Sequence, residues 1–152
     1  MRDLGVNGPM KDWPEVEWIP FMDTVLPELN SGFTLAIATS APHSDTQDMA
    51  EALARVGAHD YFHFFFSAFD LQAKKPDPLF FERILEQTGF KAFQCLSIGD
   101  KYENDVVAAK SLGMNTILFN ENNIPGNYPD ADRVITSMDQ LQMAIDSIAL
   151  AK

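Results

Sequence analysis

Residues 97–114, SIGDKYENDVVAAKSLGM, decide how this chain is read. The apolar run at 94–98 has the length and composition of a buried strand and ends at Gly99-Asp100. Residues 103–112 carry helical periodicity, and Gly113 is a stop signal. A further strand follows at 114–119. Asp100 therefore ends a strand, and Asp105 lies about one turn into the next helix. That spacing can bring two carboxylates to one side of a strand-to-helix turn, where they are hard oxygen ligands suited to Mg2+. Gly99 gives the backbone room at the turn. The bland alternative is a turn followed by an acidic helix start, which the helix dipole favours by itself.

The pattern on either side repeats this alternation. Residues 1–18 are irregular, broken by Gly5, Gly8, Pro9 and Pro14. A helix is expected over 21–29, ended by Ser31-Gly32, then a strand over 33–38 and a helix over 45–56. An aromatic strand is expected over 61–66 and a helix over 77–88 that stops at Gly89. A short strand at 133–135 and a helix over 138–150 close the chain. Strands alternating with helices imply right-handed crossovers and a mostly parallel sheet in an α/β, Rossmann-like three-layer fold. Ligands in such folds bind beyond the carboxyl ends of the strands.

Two more polar stretches lie at such ends. Thr39 follows the strand at 33–38; its hydroxyl, with the amide of Ser40, is suited to a phosphoryl oxygen. Lys75 lies in Lys74-Lys75-Pro76-Asp77-Pro78, where the following proline holds it extended and lets its ammonium be aimed. Each alone reads as readily as a polar cap or a solvated loop, and Pro78 has a plain helix-start role.

In order and spacing, Thr39, Lys75-Pro76-Asp77-Pro78 and the Asp100/Asp105 pair resemble the second, third and fourth motifs of the haloacid dehalogenase-like (HAD) superfamily. The resemblance runs from about Pro20 to Leu150. It implies a Mg2+-dependent phosphomonoester phosphatase working through an aspartyl-phosphate. Thr39 and Ser40 would bind the phosphoryl group, Lys75 would stabilise that group and the nucleophile, and Asp100 and Asp105 would hold Mg2+. Asn104 and the polar loop at 120–128 are possible neighbours of the site, and so is His43.

The pattern breaks at the first motif, an Asp-x-Asp at the end of an apolar strand. Asp3-Leu4-Gly5 has no strand before it and a glycine in place of the second acid. Asp12 also lacks a strand, and Asp23 falls inside a helix. The expectation is a chain truncated at its N-terminus: residues 1–18 as residual cap or linker, with Trp13, Trp18 and Phe21 either facing a cap or packed in a core. Residues 19–152 would then be a partial core lacking its central first strand. The loss would leave two strand edges without ladder partners, so the chain is expected to be weakly stable, to re-pair those strands, or to self-associate. A non-catalytic binding or regulatory module and a dehalogenase-branch enzyme are the alternatives.

Composition bounds the rest. The formal net charge of −11 disfavours nucleic acid and anionic membranes as partners. A small phosphorylated metabolite is the expected partner. No apolar run reaches membrane-spanning length. The single cysteine, Cys95, reads as a small core residue in a reducing cytoplasm.

Overall fold

The structure, a computed structural model, describes residues 8–150. Residues 1–7, with the Asp3-Leu4-Gly5 stretch, lie outside them. The chain divides into two compact units, Met1–Ala73 and Lys74–Lys152.

In the first unit a 3-10 turn (Met10–Asp12) precedes α1 (Met22–Gly32), β1 (Ala36–Thr39), α2 (Thr46–Arg55), a 3-10 turn (His59–Tyr61), β2 (Phe64–Ser67) and α3 (Ala68–Leu71). β1 and β2 are parallel, with Ala36 opposite Phe64 and Thr39 opposite Ser67. Three boundaries differ from the sequence reading. α1 continues through Ser31-Gly32, and the Phe33 N–H caps it on the Leu29 carbonyl at 2.9 Å. That cap delays β1 to Ala36. The turn at His59–Tyr61 likewise delays β2 to Phe64.

The core of this unit joins Leu26 of α1 and Met49, Ala52 and Leu53 of α2 to Met10 and Trp13. Residues 8–18 are thus tied into it. The Met10 N–H donates to the buried Ser44 Oγ at 2.9 Å, and Arg55 Nη1 donates to the carbonyls of Lys11 and Trp13 at 3.1 and 2.5 Å. Of the three aromatics weighed as cap or core, Trp13 is buried, Trp18 packs on the core, and Phe21 is exposed.

α2 begins with a full capping box. Asp45 accepts the Asp48 N–H at 2.8 Å and Asp48 accepts the Asp45 N–H at 3.2 Å. Asp45→Ala is expected to cost about 1 kcal/mol in urea unfolding, because it strands a helix-terminal donor.

Acid should loosen this unit. The Lys11 ammonium, 2.9 Å from Asp48, holds that carboxyl below its ordinary range. The hydroxyls of Thr46 and then Ser67 do the same for Asp70. The folded state therefore binds fewer protons than the unfolded chain in the acid range. Both contributions are fully present above the ordinary carboxylate range and are lost as pH falls through the depressed folded values. Urea midpoints measured down a pH series should fall on acidification, and less steeply in Lys11→Met/Thr46→Val.

The second unit contains α4 (Leu79–Thr88), a 3-10 turn (Ala92–Gln94), β3 (Leu96–Gly99), a π-helical turn (Tyr102–Val107) running into α5 (Ala108–Lys110), β4 (Asn115–Phe119), β5 (Arg133–Ile135), a 3-10 turn (Met138–Gln140) and α6 (Leu141–Leu150). The order is β3-β4-β5, all parallel. Together the units show an α/β fold, and among the described residues every strand pairing is parallel. Among the described residues, β1 has β2 as its ladder partner in the first unit and β3 has β4 in the second.

α4 starts two residues later than expected, after a turn in which Asp77 Oδ1 accepts the Leu79 N–H at 3.0 Å. Its inward face is Phe80 and Phe81, while Ile84 and Leu85 are half-buried. Cys95, expected in the core, is half-buried at the turn into β3, and burial pushes its thiol pKa up. After β4 the chain is pinned again by Thr116, whose N–H donates to Asp132 at 2.8 Å and whose hydroxyl donates to the Asp130 carbonyl at 2.5 Å. Lys110 pairs with the same Asp132 at 2.6 Å.

Candidate metal and phosphate site

β3 delivers the chain to Asp100, which is exposed. The next residues do not form the regular helix that periodicity suggests. They form the wider π turn, a deformation common at functional sites. Asp105 is buried within it and held at three points. Its Oδ1 is 2.6 Å from Lys75 Nζ, its Oδ2 accepts the Lys101 N–H at 3.1 Å, and its carbonyl accepts the Ser97 hydroxyl at 2.8 Å.

Gly99 makes this placement possible. A Cβ there would lie 2.2 Å from Asp105 Cγ and Oδ2 and 2.4 Å from its Cβ. The glycine supplies space for the acid side chain rather than an unusual backbone angle, which sharpens the turn-room reading made from sequence.

Lys75 comes from the loop before α4. Its side chain is only 14% exposed and that of Asp105 9%, so the pair is shielded from most solvent. The ammonium also lies over the Phe80 ring, 5.6 Å from its centroid. Lys74 is exposed, so only the second lysine of the tandem is built into the turn.

Thr39 and Ser40 belong to the first unit. Thr39 is the last residue of β1 rather than the residue after it, and its hydroxyl accepts the Ala41 N–H at 3.0 Å. His43, also in this unit, is exposed with φ 65°. Lys75, Asp100 and Asp105 belong to the second unit, where Lys75 and Asp105 touch. Asn104 is half-exposed; Asn120 is buried and folds the following loop by exchanging hydrogen bonds with Ile124, both at 2.9 Å.

Sequence reasoning missed three contributors. Ser97 is a polar residue at a buried strand position, which was a usable signal. The Lys101 contact is made by backbone and leaves no trace in residue type. Tyr102 exchanges hydrogen bonds at 3.1 Å with the side chain and N–H of Asp130, linking the π turn to the loop before β5.

Comparison with known proteins bears on this geometry. The family described as "Haloacid dehalogenase-like hydrolase" matches residues 5–119, well over half the chain and inclusive of Thr39, Lys75, Asp100 and Asp105. The chain belongs to the haloacid dehalogenase-like hydrolases. One relative is a phosphoglycolate phosphatase of Vibrio cholerae, 36% identical over 98 residues, which covers 62% of this chain and 40% of that protein. The HAD phosphatase from Thermococcus onnurineus superposes with a TM-score of 0.73 at 31% identity, covering 83% of this chain and 57% of that one. A 2-haloacid dehalogenase from Pseudomonas syringae gives a TM-score of 0.76 at 27% identity, covering 88% and 55%. This HAD-like chain thus spans from about two fifths to just over half of the length of these relatives.

Proposed function

We propose that this chain supplies the metal and phosphate side of a Mg2+-dependent phosphomonoesterase acting on a small phosphorylated metabolite. The observation that carries the reading is the half-buried ammonium of Lys75 on the buried Asp105, one strand-to-helix turn from the exposed Asp100. The phosphatases among its relatives support the reaction class.

The donor chemistry fits Mg2+. This ion takes one or two carboxylates and completes its shell with water and substrate phosphate. Asp100 and Asp105 would hold it, and the bound ion would shield phosphate charge. Thr39 and Ser40 would bind the phosphoryl oxygens, and Lys75 would neutralise charge growing on the transferring group.

The reading requires an attacking aspartate. Asp12 lies in an exposed turn and Asp23 in the first turn of α1, so neither ends a strand. Residues 1–152 alone are therefore expected to hydrolyse no aryl phosphate. The same observation favours a second reading, a binding or regulatory module. A cytoplasmic location and self-association through strand edges belong to the proposal; the latter predicts a concentration-dependent sedimentation coefficient.

The test is Mg2+-dependent hydrolysis of an aryl phosphate by the longest natural protein that contains this chain. Asp100→Asn and Asp105→Asn should each lower turnover by about a hundredfold or more. Halide release from a 2-haloacid instead of phosphate release would overturn the reading. Turnover by residues 1–152 that Asp100→Asn abolishes would show that the nucleophile is present after all.

A further inference from the structure

We infer that Tyr102 is a positioning residue: clasped by Asp130, it holds the Asp100-Lys101 segment against Asp105 and so fixes the spacing of the two carboxylates. The inference rests on the proposed role of Asp100 and Asp105 as metal ligands and adds a residue outside the ligand set on which their geometry depends.

Asp105 and Lys101 are tied to each other twice. The Asp105 N–H donates to the Lys101 carbonyl at 2.8 Å, and the Lys101 N–H donates to Asp105 Oδ2 at 3.1 Å. Asp100 is joined to this pair through the next peptide, while its own side chain is exposed. Its placement therefore depends on what holds the chain on the far side of Lys101. Tyr102 stands there as the first residue of the π turn, which Lys101 does not cap with its side chain.

The Tyr102 hydroxyl donates to Asp130 Oδ2 and accepts the Asp130 N–H, each at 3.1 Å, so it is held through both its donor and its acceptor capacity. Its ring meets Tyr128 edge-on at 5.2 Å. Asp130 is fixed in turn, because its carbonyl accepts the hydroxyl of the fully buried Thr116 in β4 at 2.5 Å. A path of hydrogen bonds thus runs from β4 through Asp130 and Tyr102 to the segment that carries Asp100. Groups that orient ligands without touching the ion typically change metal affinity by about ten- to a hundredfold when removed.

The experiment is amide hydrogen exchange on the metal-free full chain, followed by calorimetric titration with Mg2+ alone. Tyr102→Phe keeps the ring and removes the hydroxyl. It should speed exchange of the Lys101 N–H by about tenfold, the worth of the lost clasp. The Asn115 N–H, which donates to the Cys95 carbonyl at 2.9 Å at the opposite end of β3 and β4, should stay within about twofold of the parent. Mg2+ should bind Tyr102→Phe about tenfold more weakly. Asp130→Asn keeps an acceptor for the hydroxyl and should stay within about threefold of the parent in both measurements. An unchanged Lys101 rate overturns the inference, and so does equal acceleration at Lys101 and Asn115, which would mean general loosening. A loss in Asp130→Asn as large as in Tyr102→Phe assigns the effect to the charge of Asp130 and also overturns it. Asp100→Asn separates the two levels. If it abolishes Mg2+ binding while Tyr102→Phe binds as the parent does, the positioning role fails and the metal site stands. If the parent binds no Mg2+, or binds it regardless of Asp100→Asn, the metal reading fails and the positioning role falls with it.

Discussion

Gly99→Ala is expected to unfold or rearrange the β3-to-π-turn junction, at a cost of about 3 kcal/mol or more in chemical denaturation. The added Cβ would fall 2.2 Å from Asp105 Cγ and Oδ2. A flexible side chain would step aside cheaply, but Asp105 is fastened by Lys75, by the Lys101 N–H and through its carbonyl by Ser97. Relief must break the shielded ion pair or shift the strand. The Asp105 Cβ is itself only 2.4 Å from the new atom, so Asp105→Ala should not rescue, whereas Asp105→Gly should. A double-mutant cycle therefore makes the prediction specific. In the Asp105→Gly background, Gly99→Ala should lose most of its cost. An equal cost in both backgrounds would mean that the glycine matters for some reason other than this contact.

Phe80→Ala should produce a loss of similar or greater size, about 3–5 kcal/mol. Phe80 is fully buried, and its ring meets Phe81 edge-on at 5.4 Å. The side chain also underlies the Lys75 ammonium, so the truncation should loosen the Lys75–Asp105 pair as well as open a cavity. Phe80→Leu refills most of the space without a ring. It should recover most of the stability while leaving the Lys75 ε-methylene signal broadened or shifted. If Leu restores both, the ring face contributes nothing to holding the lysine.

The sequence made the alternation of strands and helices legible because apolar runs and helical periodicity are separate signals. It made the site residues legible because Gly-Asp, Lys-Pro and a terminal Thr are each unusual in their local setting. What it hid were features set by tertiary contact. Periodicity at 103–112 is compatible with either an α-helix or a π turn, and the π turn falls where Asp105 meets Lys75, which is distant in the chain. Phe33 has strong strand propensity, yet its N–H closes α1 and its ring is exposed. Cys95 lies in an apolar stretch but at the turn before β3, so composition overstated its burial.

The anchoring of the segment after β4 has a practical corollary. Residues 121–127 are all exposed, whereas just beyond them Asp130 is fastened to Tyr102 and Asp132 to Thr116 and Lys110. A backbone nick within 121–127 would cut the covalent thread yet spare every one of these ties. Limited proteolysis should thus yield two fragments that co-elute as one particle, and those fragments, expressed separately, are natural halves for a reassembly reporter.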